Sequence, residues 1–467
     1  MIRFILNEIT ITTDLPAGTV LLDFIRYHQQ LMGTKIGCRE GDCGACTILL
    51  GELKKGELRY QSMVSCLLPL GNVHGKHIVT IEGINMPELN PVQQVMVDAG
   101  AMQCGFCTPG FVMSLAGFCL SDKEASNENA IAAINGNICR CTGYKSIERA
   151  AEQIAAMLKA RKEADPVQFA AKEKILPAYF ASIKTKLQDL HDGKSTPSVS
   201  VSSTIVGGGT DLYVQKHDEM TSADISFVFD DPAMKKIIED DNKCILGPSV
   251  TVSDLAASPF INKIFPQFQR YTKLISSIPI RNMATLAGNF VNASPIGDFT
   301  IFFLALDAQL TLSNGKEQRT LPLRKLYKGY KQLNKAPDEY IKKIEFEVLG
   351  KNTLFNFEKV SKRTHLDIAS VNSAMRITVR GQEIIDVGIS AGGLAPVPVY
   401  LQKASEFLHG KFISEETVYE AIKIAKVEVS PIGDTRGTKE YKMLLLGQLI
   451  KAHFILLFPQ LKIEKFA

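Results

Sequence analysis

Gly37-Cys-Arg-Glu-Gly-Asp-Cys-Gly-Ala-Cys46 places Cys38, Cys43 and Cys46 at C-x4-C-x2-C spacing inside a glycine-rich loop, and a fourth cysteine, Cys66, follows further on. Thiolates are the soft ligands that iron–sulfur clusters require. This spacing is the plant-type pattern for a 2Fe–2S cluster. Gly37, Gly41 and Gly44 let such a loop fold tightly and turn backbone N–H groups toward sulfur. Structural zinc is the competing reading, but zinc sites more often pair two C-x2-C knuckles.

The flanks suit a small ferredoxin domain. Phe4, Leu6, Ile9 and Ile11 alternate with polar residues around Asn7-Glu8, which predicts a hairpin. Thr19 to Met32 has apolar residues at roughly helical spacing. Thr47 to Leu50, Glu57 to Gln61 and His77 to Ile81 read as short strands. We expect a β-grasp domain over residues 1–82.

Residues 83–162 read as mostly helical and hold a second set of four cysteines, Cys104-x2-Cys107 and Cys139-x-Cys141. Each pair falls just before a helical pattern. Thr108 is placed to cap the first helix, with Pro109 in its first turn. The second helix is expected over Ser146 to Lys159. The partial positive charge of a helix start favours thiolates and an anionic cluster. Alone, these spacings also fit zinc; beside the first loop they point to a second 2Fe–2S centre. Cys119 and Cys244 read as buried core residues.

Residues 163–175, rich in Ala, Lys and Glu, read as a linker, partly helical. Beyond it, Val199 to Val206 alternates like a strand and runs into Gly207-Gly208-Gly209-Thr210-Asp211, a turn that can bring backbone N–H groups to a phosphate. Leu212 stands where a Rossmann fingerprint needs glycine, and no P-loop motif is present. The stretch Arg281 to Asp298 is rich in small, amide and hydroxyl residues, suited to a diphosphate and a hydroxylated chain or to an ordinary polar loop. Lys359, Lys362, Arg363 and Asp367 form a charged stretch that a solvated face would also explain. From residue 353 the pattern resets to strands over Ser370 to Val379 and Ile384 to Ala391. Gly392-Gly393 and helices over Glu415 to Lys426 and Lys439 to Phe458 follow, giving an α+β subdomain at 353–467.

Composition fits soluble globular domains: of 467 residues, 45% are hydrophobic and 22% charged. A net charge of +4 is too small to argue for nucleic acid or an anionic membrane. The longest apolar runs, such as Phe299 to Leu306, fall short of a membrane span. Asn7 and Glu8 interrupt the apolar start, so no signal peptide is expected and the cytoplasm is the expected address. Ten cysteines in such a chain read as metal or redox chemistry before disulfides.

The two cysteine sets followed by the glycine-rich and Asn/Ser/Gly motifs resemble the iron–sulfur and flavin part of the molybdenum hydroxylases, of the xanthine dehydrogenase type. The resemblance covers essentially the whole chain. It implies an FAD-binding domain of the vanillyl-alcohol-oxidase type over residues 176–352, with the C-terminal subdomain after it. The implied FAD contacts are Thr204, Ile205, Val206, Gly207, Gly208, Gly209, Thr210 and Asp211, then Thr285, Gly288, Asn289, Asp298, Ile341 and Lys359. Ile275 stands where the family usually places a phenylalanine beside the flavin. Ala287-Gly288-Asn289 stands where it often has Gly-Gly-Asn. Arg363 matches an arginine near the nicotinamide cofactor, whereas Leu366 occupies the acidic position beside it.

The resemblance further implies a molybdopterin-binding large subunit that hydroxylates a purine, hypoxanthine or xanthine. Its electrons would pass through both clusters to FAD and then to NAD, in a dimer of heterodimers. The set on Cys104, Cys107, Cys139 and Cys141 would lie nearer molybdenum, and that on Cys38, Cys43, Cys46 and Cys66 nearer FAD. No catalytic base is expected on this chain. A subunit of an aldehyde or N-heterocycle hydroxylase, a stand-alone ferredoxin–flavin diaphorase and a zinc-stapled binding module are the alternatives.

Overall fold

Asn7 takes φ 56°, a left-handed conformation that asparagine tolerates better than most residues, and so turns the first two apolar runs into a hairpin. Strand β1 (Ile2–Leu6) pairs antiparallel with β2 (Ile9–Thr13). Strands β3 (Thr47–Lys54), β4 (Glu57–Val64) and β5 (His77–Val79) complete a sheet ordered β2-β1-β5-β3-β4, in which β1 and β5 run parallel. Phe4, Leu22, Phe24, Ile48, Val64 and Leu70 are buried together in its core. This is the β-grasp ferredoxin domain.

The computed structural model describes residues 1–190 and 203–461, so the part of the Val199–Val206 strand before Ser203 lies outside the described residues. The chain divides into two units, Met1–Phe229 with Ser277–Ala284, and Asp230–Ser276 with Thr285–Ala467.

The helix expected over Thr19 to Met32 is much shorter. Val20 bridges to Pro69, one helical turn covers Leu21–Asp23, and a wider π-type turn covers Phe24–His28. Gln30 then adopts φ 56°, which no helix continues. The apolar spacing was real, since Leu21, Leu22, Phe24 and Ile25 are buried, but backbone geometry ends the helix early.

The second cysteine region is helical, with helices at Pro91–Asp98, Thr108–Cys119, Asn127–Ala133 and Lys145–Leu158. Thr108–Cys119 is buried from Gly110 onward, which explains its nearly continuous apolar sequence. Lys145–Leu158 is amphipathic and buries Ile147, Ala151, Ile154 and Leu158. Cys119 and Cys244 are both fully buried, as core residues should be. Within the Ala/Lys/Glu-rich stretch, Asp165 caps the helix Pro166–Lys172, which buries Phe169 and Ala170. Strands β6 (Thr204–Val206) and β7 (Ile225–Phe227) pair in parallel in the same unit.

The second unit holds an antiparallel sheet ordered β11-β10-β14-β9-β8, from β8 (Ile237–Asp240), β9 (Lys243–Leu246), β10 (Gln309–Ser313), β11 (Gln318–Pro322) and β14 (Tyr340–Glu347). A small hairpin joins β12 (Tyr327–Gly329) and β13 (Gln332–Leu333). A second sheet, β15 (Thr353–Val360), β16 (Val371–Arg380), β17 (Glu383–Gly392) and β18 (Val399–Tyr400), packs against the helices Glu415–Val427 and Lys439–Leu457. The helix Asp298–Ala305 is buried on all sides from Phe299 onward and is apolar there except at Thr300. Phe299, Phe302 and Phe303 join Phe265 and Phe355 in a cluster of edge-to-face and tilted ring contacts. No described helix is long and apolar enough to cross a membrane.

Candidate iron–sulfur and flavin sites

Both cysteine sets are gathered, and each is gathered as two pairs. In the first, Cys43 shares a hydrogen bond with Cys38, and Cys66 with Cys46. In the second, Cys141 Sγ lies 3.5 Å from Cys104 Sγ, and Cys107 pairs with Cys139. Among the described residues, no three or more His, Cys, Asp or Glu side chains converge as a single ion would need. Two sulfur pairs per set supply the two thiolates that each iron of a two-iron centre takes.

Electrostatics within each pair divide the thiols. The hydrogen bond from Cys43 is the main cause that holds Cys38 down at about 5, with the Glu40 N–H donating to its sulfur over 3.3 Å. The hydrogen bond from Cys66 likewise holds Cys46 down and pushes Cys66 up. Burial opposes ionisation of Cys139, yet the Thr142 hydroxyl and N–H donate to its sulfur over 3.2 and 3.5 Å and keep its pKa below the ordinary thiol value. Cys107 is pushed up to about 12 by burial and then by Cys139. Donors aimed at sulfur are what an anionic cluster needs.

Cys107 is the N-cap of the helix Thr108–Cys119, with Thr108 and Pro109 as its first two residues. The expectation that Thr108 caps the helix is therefore one residue late, and Thr108 makes no capping bond. Tyr144, at φ 67°, precedes Lys145–Leu158, and its hydroxyl accepts from the Cys139 N–H over 3.0 Å.

The residues expected to hold flavin divide between the units. In the first, Thr204, Ile205 and Val206 form β6, and Gly207 to Asp211 form the turn after it. Asn72 Nδ2 donates to the Gly207 carbonyl over 2.8 Å. Gly208 packs so closely on Met283 that a Cβ there would collide with the Met283 carbonyl, and Gly209 has φ 81°.

In the second unit, Thr285 caps the helix Leu286–Asn292 by accepting from Gly288 N–H over 3.2 Å. A Cβ on Gly288 would meet nothing within contact distance except Thr285 Oγ1. Asn289 Oδ1 accepts from the Thr300 N–H and hydroxyl, both over 3.0 Å. Ile275 is buried, and Ile341 is buried within β14 opposite Leu312.

Lys359, read from sequence as compatible with a solvated face, is the reverse. Its side chain is 1% exposed; its ammonium lies 2.8 Å from Asp298 Oδ2 and donates to the Leu274 carbonyl over 2.8 Å. Asn372, which sequence reasoning missed, donates to Asp298 Oδ1 over 2.6 Å. Its own Oδ1 is buried with no partner among the described residues. A buried acceptor beside a desolvated ion pair suits a site that receives a polar ligand. Arg363 is half exposed; its guanidinium donates to the Leu366 carbonyl over 2.8 Å. Leu366 itself is buried at φ 49°.

Comparison with known proteins matches this order of parts. A 2Fe-2S iron-sulfur cluster binding domain matches residues 4–70, a [2Fe-2S] binding domain 80–152, an FAD binding domain in molybdopterin dehydrogenase 180–346, and a CO dehydrogenase flavoprotein C-terminal domain 357–456. Two 2Fe–2S-binding domains and an FAD-binding domain make this chain an iron–sulfur flavoprotein. In sequence it is similar to curated xanthine dehydrogenases. Relatives include xanthine dehydrogenase of Emericella nidulans, 28% identical over 90% of this chain and 36% of its own length. Another is xanthine dehydrogenase 1 of Arabidopsis thaliana, 26% identical over 91% of this chain and 37% of its own. The chain thus spans little more than a third of these curated relatives.

Among solved structures, a carbon monoxide dehydrogenase from Hydrogenophaga pseudoflava matches with TM-score 0.51 and 23% identity, covering 53% of this chain and 87% of its own. Quinoline 2-oxidoreductase from Pseudomonas putida 86 matches with TM-score 0.50 and 19% identity, covering 56% and 90%. These two show the fold of the part they cover, a little over half of the chain.

Proposed function

We propose that the chain is the electron-transfer component of a xanthine dehydrogenase-type molybdenum hydroxylase, divided as 1–82, 83–162, a linker at 163–175, 176–352 and 353–467. The observation that carries this reading is the gathering of eight cysteines into two sets of two sulfur pairs, on a chain that also bears an FAD-binding domain. When bound, the two clusters supply one-electron relays, and FAD supplies the junction between one-electron and hydride chemistry.

This chain's residues bind and tune. Cys38, Cys43, Cys46 and Cys66 hold one cluster, and Cys104, Cys107, Cys139 and Cys141 the other. Thr142 and the Glu40 N–H donate to ligand sulfurs and so favour extra negative charge there. Thr204 to Asp211, Thr285, Gly288, Asn289, Asp298, Ile341 and Lys359 contact FAD, with Ile275 lining the flavin. Lys359 and Asp298 hold each other and, with Asn372, fix a desolvated polar wall. Arg363 faces the nicotinamide cofactor.

A partner chain carrying molybdopterin would hydroxylate hypoxanthine or xanthine, NAD would accept the hydride, and two such pairs would assemble in the cytoplasm. Similarity to xanthine dehydrogenases along about nine-tenths of the chain supports this choice over other hydroxylases. Expressed alone, the chain is expected to reduce an artificial dye from NADH but to leave hypoxanthine untouched. Hypoxanthine turnover without any molybdenum-bearing chain would contradict the proposal.

A further inference from the structure

Cys43 and Cys139 belong to different cysteine sets, yet their backbones meet. The Ile138 N–H donates to the Cys43 carbonyl over 3.0 Å. One hydrogen bond thus joins Cys43 to the residue bonded to Cys139. Beside it, Asn137 Nδ2 donates to the Gly44 carbonyl over 3.1 Å, and Asn137 Oδ1 accepts from Ser114 Oγ over 2.7 Å. A carbonyl can only accept, so the amide nitrogen must face Gly44, which fixes the orientation of the carboxamide. Asn137 is buried at 6% exposure.

This one side chain ties three segments: the first cysteine loop, the helix that starts after Cys107, and the approach to Cys139. Glycines make the contact possible. Gly44 has φ 65°, and a Cβ there would collide with the Gly136 carbonyl and Asn137 Nδ2. A Cβ on Gly110 would collide with the Gly44 carbonyl. The Gly44 carbonyl also accepts from the Thr47 hydroxyl over 2.7 Å and the Thr47 N–H over 3.1 Å. Removing Asn137 would therefore leave that acceptor satisfied; what would be lost is the tie between loops.

We propose that Asn137 is a positioning residue that, with the Ile138–Cys43 hydrogen bond, fixes the spacing of the two cysteine sites and the through-bond route between them. The inference rests on the reading that each set holds a 2Fe–2S cluster. On that reading, one electron would pass from a centre held by Cys104, Cys107, Cys139 and Cys141 to one held by Cys38, Cys43, Cys46 and Cys66. The first would be oxidised and the second reduced by one electron, with no covalent bond changed and no proton moved. The route runs from Cys139 through the backbone of Ile138, across its N–H to the Cys43 carbonyl, and on to Cys43 Sγ.

The test uses the full chain with its clusters, reduced by a photoexcited dye and a sacrificial amine. It reads the rate at which the electron redistributes between the clusters, and the magnetic interaction between them by low-temperature EPR when both are reduced. Asn137→Asp sets a carboxylate oxygen against the Gly44 carbonyl. It is expected to keep the wild-type iron and sulfide content while redistribution slows several-fold and the inter-cluster splitting changes. Ser114→Ala, which removes only the bond to the far oxygen, is expected to shift both in the same direction by less.

Wild-type rate and splitting in an Asn137→Asp protein with both clusters would overturn the proposal. If that variant loses a cluster, Ser114→Ala decides, and an unchanged rate and splitting there overturn it. A wild-type chain without iron would instead overturn the cofactor reading, which the iron count reports separately, and the bridge would fall with it.

Discussion

Lys359 and Asp298 form an ion pair at 2.8 Å with the lysine side chain 1% exposed. Asn372 and the Leu274 carbonyl take further bonds of the same pair. The lysine is cut off from water and Asp298 is only 14% exposed, so this pair differs from the surface ion pairs of the chain. Lys359→Ala is expected to cost ~3–5 kcal/mol of unfolding free energy, the range for an orphaned buried charge. Lys359→Met with Asp298→Asn should recover much of that stability while still weakening flavin retention. Denaturant unfolding and flavin content together check this.

Thr142 donates its hydroxyl to Cys139 Sγ over 3.2 Å. Hydrogen bonds to ligand sulfur stabilise the more negative, reduced cluster. Thr142→Val, close to it in shape, should lower the midpoint potential of the cluster on Cys104, Cys107, Cys139 and Cys141 and leave the other unchanged. A redox titration followed by EPR reads the two separately.

Buried histidines set the acid limit. His453 is fully buried; its Nδ1 accepts from Asn356 Nδ2 over 2.9 Å, and its Nε2 donates to Ser373 Oγ over 3.0 Å. Burial pushes it from 6.5 down to about 3, so it is neutral in the fold. His77 is pushed down to about 3 in the same way; it accepts from Tyr60 and donates to the Asn7 carbonyl, both over 2.7 Å. The unfolded chain protonates both below 6.5 while the fold does not. Their contribution is therefore full above that value and falls by ~1.4 kcal/mol per histidine for each pH unit toward 3. His453→Gln should flatten the fall of thermal stability between pH 6.5 and 4; an unchanged slope would contradict the assignment.

Gly208 has no room for a side chain beside the Met283 carbonyl. Gly208→Val should displace the turn Gly207–Asp211 and release flavin, whereas iron and sulfide should stay at wild-type levels. Loss of iron together with flavin would show that the turn matters chiefly for folding.

Much of this is legible in the sequence. The cysteine spacing announced both sites, because ligand chemistry restricts residue type and interval together. The hairpin at Asn7-Glu8 and the C-terminal strands and helices followed from local periodicity. What escaped was non-local. The short helix at Leu21 depends on Gln30 turning left-handed. The burial of Lys359 depends on Asp298, far off in sequence. The role of Asn137 depends on Gly44 and Ser114, both distant in sequence. Thr142 had a signal, since a hydroxyl one residue beyond the Cys139-x-Cys141 pair stands where sulfur needs a donor.

Iron, labile sulfide and FAD per chain, with EPR after dithionite reduction, test the central claim most directly. The account predicts about four irons, one FAD and two distinct rhombic signals, from two sets of four cysteines. Zinc in place of iron, or a chain that retains no flavin, would contradict it.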